Sequence, residues 1–240
     1  MFTIEKHKEI NSTNTRAKEL AAAGKRNICV TADRQTGGRG RMGRQFFSPE
    51  GSGLYFSLLL SPSVKGEDGA LLTTFAAVAV AEVLEELTGK ETAIKWVNDV
   101  YMNGKKICGI LTEGAVNYET GELEYAVIGV GINVGKTAFS EELSAIASDV
   151  ERETGVKLDK DLLLNRLLER FEHMEEALRS GDFMEAYRKK CFVLGREVTV
   201  LRGTERFAAK VLDVNFRGEL VVETEGNVIT LSSGEVSVRI

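Results

Sequence analysis

Residues 35–51, QTGGRGRMGRQFFSPEG, decide early which folds this chain can adopt. Gly38, Gly40 and Gly43 match the spacing G-x-G-x-x-G, which in a doubly wound α/β fold needs a strand before it and a helix opening on it. NICVTADRQ can supply the strand, but RQFFSPEGSG, with Pro49, Gly51 and Gly53, is no helix, and the dinucleotide reading fails. A P-loop needs Lys followed by Ser or Thr to meet phosphates and magnesium, and Arg44-Gln45 lacks the metal-binding hydroxyl. What is left is a loop carrying Arg39, Arg41 and Arg44 between glycines. Glycines let backbone approach a ligand and let a loop close over it, while arginines offer planar donors to phosphate oxygens. A solvated surface loop and an RGG-like RNA-binding segment are the alternatives. Both lose ground because the loop is short, lies inside a folded domain and runs directly into an apolar strand.

The loop is a local exception in an acidic chain. The 240 residues carry a net charge of −5, which argues against general affinity for nucleic acid or anionic membrane. Hydrophobic residues at 43% and charged ones at 28% describe a globular protein able to bury a sizeable core. MFTIEKHKEI has no apolar h-region, so no signal peptide is expected, and the longest apolar run, residues 75–81, is too short to span a bilayer. Cys29, Cys108 and Cys191 are far apart without C-x-x-C spacing, as expected for reduced thiols in a cytoplasmic protein. His7 reads as a solvated surface histidine.

Periodicity and turn signals give an α+β pattern. INSTNTRAKELAAAG reads as a loop entering a short helix, with Ser12, Thr13 or Asn14 as cap and Gly24 at its end. NICVTAD and LYFSLLL read as buried strands, and residues 70–87 as a long helix, apolar at first and amphipathic later. TAIKWV and KICGILTEG are expected to pair around the turn at Asn103-Gly104, and LEYAVIGVGINV is one more strand. Residues 159–188 read as helical, with Leu163, Leu167, Phe171, Met174 and Leu178 on one apolar stripe and Gly181 breaking the run. After Cys191 short strands alternate with turns at Gly203, Gly218, Gly226 and Gly234, the pattern of a small β-barrel that must pack on the larger domain. The expected division is residues 1–190 and 191–240.

Two further segments bear on function. KWVNDVYMNGKKICGIL sets a lysine, a tryptophan, an amide and a carboxylate near a hairpin that returns with Lys105 and Lys106. Asp99 can meet a divalent cation or a lysine, and Lys106 an anion or a carbonyl. GVGIN (129–133) offers close backbone approach and the Asn133 amide. Singly, each has a plain structural explanation: a turn aspartate, a solvated lysine, a tight bend.

Together and in this order, NSTN (11–14), QTGGRGRMGR (35–44), FFSPEGSGLYFS (46–57), KWVND (95–99), GKKICGILTE (104–113) and VIGVGINV (127–134) resemble the biotin protein ligases. The resemblance runs through the whole chain. It implies a class II synthetase-like catalytic domain, a mixed β-sheet flanked by helices, with a C-terminal SH3-like barrel. It implies ATP, biotin and Mg2+ as ligands, and as partner a biotin carboxyl carrier domain of an acetyl-CoA or pyruvate carboxylase. Biotin carboxylate would attack the α-phosphate of ATP to give biotinyl-5′-AMP, which a carrier lysine then attacks.

By the same resemblance Ser12, Thr13, Asn14 and Gln35 would bond the ureido end of biotin, a polar head that is costly to bury unpaired. Gly38, Arg39, Gly40 and Arg41 would cover carboxylate and phosphate, and Lys106 would bridge those two anions. Phe46 stands where the family has an aromatic, usually tryptophan, packed on adenine, keeping the stacking face without the indole donor. Trp96 and Asn98 would belong to the ligand site, Asp99 would hold the metal, Asn133 would lie near the nucleotide, and Gly109 and Gly129 would allow close backbone contact. Lys106, Arg41 and Asp99 are the expected catalytic group.

The family motif usually reads K-W-P-N-D; Val97 here replaces the proline, which removes a fixed φ and adds an amide donor. NSTN starts at residue 11, leaving no room before it for the helix-turn-helix of repressor members, so a ligase without DNA binding is expected. Family members pair through sheet edges, and a homodimer stays open. A lipoate or octanoate ligase or transferase is the runner-up, but its arginine-glycine pattern is absent and Cys108 lies within an apolar strand instead of standing ready as a nucleophile. A non-catalytic binding module is the rival from another class.

Overall fold

In the computed structural model, which describes residues 1–232 and the backbone of 236–239, the central feature is a mixed seven-stranded sheet. Its strands are β1 (Thr3–Ile10), β2 (Ile28–Gln35), β3 (Gly53–Leu60), β4 (Ala93–Lys95), β5 (Asp99–Met102), β6 (Lys105–Val116) and β7 (Leu123–Asn133). They lie in the order β1-β2-β3-β7-β6-β5-β4; β1 and β2 are parallel and every other pair antiparallel. The parallel pair requires a crossover, supplied by α1 (Thr13–Ala22). Ser12 caps α1 by accepting from Thr15 N, so the capping expected from NSTN falls on its serine.

The apolar run after residue 69 forms α2 (Ala70–Thr88), which is buried along most of its length between the sheet and other helices. Beyond β7 come α3 (Glu141–Ser144), α4 (Val150–Thr154), α5 (Lys160–Glu172), α6 (Met174–Ser180) and α7 (Phe183–Lys190). Phe75 of α2 meets Phe171 of α5 and Phe183 of α7 edge-on, each at 5.6 Å between ring centroids. The expected break at Gly181 is present, and a second one falls at His173, where the chain turns by an Arg170 carbonyl bond. The periodicity did not reveal it because Met174 and Leu178 still pack on the core beyond the break.

Two expectations need correction. Asn103 and Gly104, with successive positive φ values of 48° and 77°, do form a tight turn, but it joins β5 to β6, not residues 92–97 to β6. Residues 96–98 leave the ladder between β4 and β5, and the Trp96–Val97 peptide is cis. His7 is half-buried, and its Nε2 lies 2.7 Å from Glu5 Oε1.

The C-terminal strands are β8 (Glu197–Arg202), β9 (Glu205–Val214), β10 (Leu220–Thr224), β11 (Asn227–Leu231) and β12 (Val236–Arg239). They form an antiparallel sheet in the order β11-β10-β9-β8-β12; among the described residues its two edge strands are not paired, so the small barrel is seen as an open sheet. The turns at Gly203, Gly218 and Gly226 fall between these strands, while Gly234 lies outside the described residues. Val198, Val200, Val211 and Leu220 share one continuous core with α2 and Trp96, so the small sheet is packed on the large one as the sequence required.

Candidate active site

The site is a cleft on one face of the large sheet, roofed by the arginine loop and walled by the start of α1. Its floor is made by absent side chains. Gly109 of β6 and Gly131 of β7 are direct cross-strand partners, and Gly129 lies two residues further along the same face. A Cβ on Gly131 would stand 2.5 Å from the Phe46 ring, and one on Gly109 3.1 Å from it. A Cβ on Gly129 would collide with Asn14 Oδ1. The glycines of GVG and of KKICG are thus places where a side chain would fill the cleft.

One end of the cleft is polar and uncharged. Gln35 Oε1 accepts from Thr13 N at 2.9 Å and from Thr13 Oγ1 at 3.1 Å, and Gln35 Nε2 donates to Ser48 Oγ at 2.9 Å. Asn14 Nδ2 donates to the Leu111 carbonyl at 3.2 Å and to Glu113 Oε2 at 2.9 Å. Ser57 Oγ lies 2.7 Å from Thr13 Oγ1 and 2.6 Å from Asn14 Oδ1; with one proton it serves one of them at a time. Ser12, Thr13 and Asn14 are all buried, so a buried ligand that offers both N–H and C=O groups would find partners already aligned.

The other end is cationic. Lys106 Nζ lies 2.6 Å from Asp99 Oδ1, an ion pair without a directed hydrogen bond to that buried oxygen. Arg41 Nη1 donates to Asn98 Oδ1 at 3.3 Å, and Asn98 Nδ2 donates to the Ile110 carbonyl at 2.9 Å. Burial pushes the Arg41 guanidinium below its usual range, against a rise caused by the Asp99 charge. The loop that carries these arginines is a closed hairpin: Arg39 bridges Gln45, Gly40 N donates to Arg44 O at 2.7 Å, and Phe46 N donates to Gly38 O at 2.9 Å.

Most expected residues come together here: Ser12, Thr13, Asn14, Gln35, Arg39, Gly40, Arg41, Phe46, Trp96, Asn98, Asp99, Lys106, Gly109 and Gly129 all line the cleft. Three differ in kind. Trp96 is 3% exposed and donates its indole N–H to the Gly218 carbonyl of the small sheet at 3.0 Å, so its polar atom is a strut between the sheets. Gly38 does not line the cleft; a Cβ there would press on Phe46 O and stand 2.7 Å from Ser48 Oγ. Asn133 does not line the cleft; it is buried two residues beyond Gly131 on β7 and donates to the Ser148 carbonyl at 3.0 Å.

Ser57, Ser48 and Glu113 join the polar network without having been singled out as site residues. Ser57 carried a signal, a lone hydroxyl in the apolar strand LYFSLLL, fully buried in the fold. Burial alone would raise the Glu113 carboxyl, but hydrogen bonds from Asn14 and Lys18 outweigh it and hold the group below its usual range.

Among the described residues no group of three or more His, Cys, Asp or Glu could hold a metal ion. Asp99 is the one carboxylate in the cleft lining. One carboxylate could contribute a single ligand to a hard divalent cation and would leave most of its shell to water or to a bound ligand. Cys108 is fully buried, and burial raises its thiol far above the usual value, which removes it as a nucleophile.

Comparison with known proteins gives a consistent picture. Residues 7–133 match the biotin/lipoate A/B protein ligase family, and residues 193–239 match the biotin protein ligase C-terminal domain. The chain is 35% identical over 238 residues to the bifunctional ligase/repressor BirA of Bacillus subtilis, covering 96% of this chain and 72% of that protein. It is 29% identical over 242 residues to the biotin–[acetyl-CoA-carboxylase] ligase of Mycobacterium tuberculosis, covering 95% and 86%. In structure it is similar to a biotin protein ligase from Aquifex aeolicus in complex with biotin and ATP, with a TM-score of 0.84, 32% identity, and coverage of 100% and 99%. On these matches the chain belongs to the biotin/lipoate A/B protein ligase family and, within it, to the biotin protein ligases.

Proposed function

We propose that this protein activates biotin with ATP to biotinyl-5′-AMP and transfers the biotinyl group to one lysine of a biotin carboxyl carrier domain, that of an acetyl-CoA or pyruvate carboxylase. The observation that carries the reading is the polarity of the cleft. A neutral, hydrogen-bonding end at Thr13, Asn14 and Gln35 lies beside a cationic end at Lys106 and Arg41 over a glycine floor. The ureido head of biotin suits the first end, and its carboxylate together with the ATP α-phosphate suits the second.

In the first step the biotin carboxylate oxygen attacks the α-phosphorus and pyrophosphate leaves. Lys106 stands between two mutually repelling anions and stabilises the negative charge of the transition state. Its present partner is Asp99, so ligand entry exchanges one anion for others and frees Asp99. Asp99 and Asn98 would then hold Mg2+, which when bound supplies charge neutralisation on the phosphates. Arg39 and Arg41 cover the product, with Gly38 and Gly40 as the loop's pivots, and keep water from the mixed anhydride. Phe46 offers a ring to adenine. Trp96 and Asn133 act through their hydrogen bonds, by holding the cleft wall and the 133–148 segment. In the second step the carrier amine attacks the acyl carbon, and AMP leaves.

We place the catalytic domain at residues 1–190 and the C-terminal domain at 191–240, and the protein in the cytoplasm, where its three buried unpaired cysteines suit a reducing medium. The test is incubation with biotin, Mg-ATP and a carrier domain. One biotinyl mass increment on a single carrier lysine, with stoichiometric pyrophosphate, is expected. A lipoyl increment under the same conditions with lipoate, and none with biotin, would replace biotin by its rival.

A further inference from the structure

Glu113 does not line the cleft, yet it touches both of the cleft's moving or discriminating parts. Its two carboxylate oxygens divide their work. Oε2 accepts from Asn14 Nδ2 at 2.9 Å; Oε1 takes the Lys18 ammonium at 2.9 Å and lies 3.5 Å from Arg39 Nη2. The second hydrogen of the Asn14 amide goes to the Leu111 carbonyl at 3.2 Å. A carboxylate and a carbonyl can only accept, so the side of Asn14 that faces them must be its NH2. Its carbonyl oxygen therefore faces the other way, toward Ser57 Oγ at 2.6 Å and over Gly129, and one lone pair is left for a ligand.

We propose that Glu113 is a positioning residue that fixes the orientation of the Asn14 amide, so that the cleft presents an acceptor, not a donor, to a ring N–H of the biotin ureido group. This inference rests on the ligase reading and names the group that sets its ligand specificity. Lys18 keeps Glu113 ionised when Arg39 leaves to cover the ligand, so the orientation of Asn14 survives loop closure. Without the carboxylate only the Leu111 carbonyl, the longer of the two bonds at 3.2 Å, still opposes turning of the amide; the Ser57 hydroxyl does not oppose it, because it accepts from an NH2 as readily as it donates to a carbonyl. A turned Asn14 places N–H against N–H and loses the preference for a ligand that donates.

The experiment compares the full chain with Glu113→Leu and Glu113→Gln in steady-state pyrophosphate release. The substrates are biotin and the two cyclic carbamate analogues in which one ring N–H is replaced by oxygen. For Glu113→Leu the biotin KM should rise about tenfold, as for one lost hydrogen bond to a buried partner, with kcat and the ATP KM within about twofold. The preference for biotin over at least one carbamate should shrink by a similar factor. Glu113→Gln, whose amide has one acceptor oxygen where two now serve, should move both quantities in the same direction by about threefold, and it decides the matter if the leucine variant does not fold. A raised biotin KM with the carbamate preference intact would assign Glu113 a merely structural part and overturn the proposal, as would an unchanged biotin KM. Failure of the parent protein to release pyrophosphate from biotin and ATP would instead overturn the ligase reading and this inference with it.

Discussion

The cationic side chains of the cleft differ in what holds them before ligands arrive, and this predicts different phenotypes. Among the described residues Lys106 pairs with Asp99 at 2.6 Å, and on the proposed reading the ammonium that would meet two anions is already aimed at one. Lys106→Ala should reduce biotin-dependent pyrophosphate release by about 10²- to 10³-fold, the usual cost of removing one charge-stabilising donor, as measured by single-turnover adenylation. Arg41 stands on the loop and reaches across to Asn98 at 3.3 Å, so its contribution depends on loop position. Arg41→Gly should still form biotinyl-5′-AMP but hold it about tenfold less tightly or worse, as for lost charge-assisted hydrogen bonds. The measurement is biotinylation of bystander lysines on an unrelated protein; labelling confined to the carrier would contradict it. Arg41 is legible as an arginine set between glycines in a short loop, whereas Lys106 alone reads as a solvated lysine and gains its role only from the order of motifs that resembles the biotin protein ligases. Glu113 is not legible, because Asn14 and Lys18, which meet it from α1, lie 99 and 95 residues away in the chain.

At the scale of elements, the cleft exists because β6 and β7 pair in one register. That register sets Gly109 opposite Gly131 and Gly129 opposite Leu111. A single methyl group tests it. In Gly129→Ala the new Cβ would meet Asn14 Oδ1 at once and stand 2.8 Å from Asn14 Cγ, and the start of α1 would have to move away from β7. Overpacking of this kind costs about 1–3 kcal/mol, so calorimetric biotin affinity should fall about tenfold to a hundredfold while the sheet remains folded by circular dichroism. Strand alternation and the glycines made β7 and β6 readable, and the buried run of α2 made that helix readable. The wrong strand partner for residues 92–97 had a physical cause. The turn chemistry of Asn103-Gly104 is legible, but the four residues of β5 are too few to show a period of their own, so the pattern joins the turn to the apolar run before them.

At the scale of the molecule, distant segments are tied by buried and half-buried polar contacts that no local pattern announces. Trp96 donates to Gly218, Arg188 Nε to the Val214 carbonyl at 2.6 Å, and Lys190 Nζ lies 2.6 Å from both oxygens of Glu85. The last pair joins the end of α7 to α2 just before the chain crosses to the small sheet. Burial alone would raise the Glu85 carboxyl, but the Lys190 hydrogen bond and the two from Thr92 outweigh it and leave the group below its ordinary value. With a folded pKa below the unfolded one, Glu85 contributes stability that is complete above the unfolded value of about 4.3 and is lost as pH falls through the folded one. Lys190→Met removes the main opposing charge and leaves a partly buried carboxylate to its Thr92 donors. Its stability at pH 7 should drop by about 1–2 kcal/mol, between the values typical of exposed and buried pairs. The difference from the parent should shrink as the pH is taken from about 5 toward 3, because protonation of Glu85 removes the interaction from the parent as well. Urea unfolding at a series of pH values measures it; a deficit that stays constant through that window would mean that Lys190 acts by packing its stem and not by its charge.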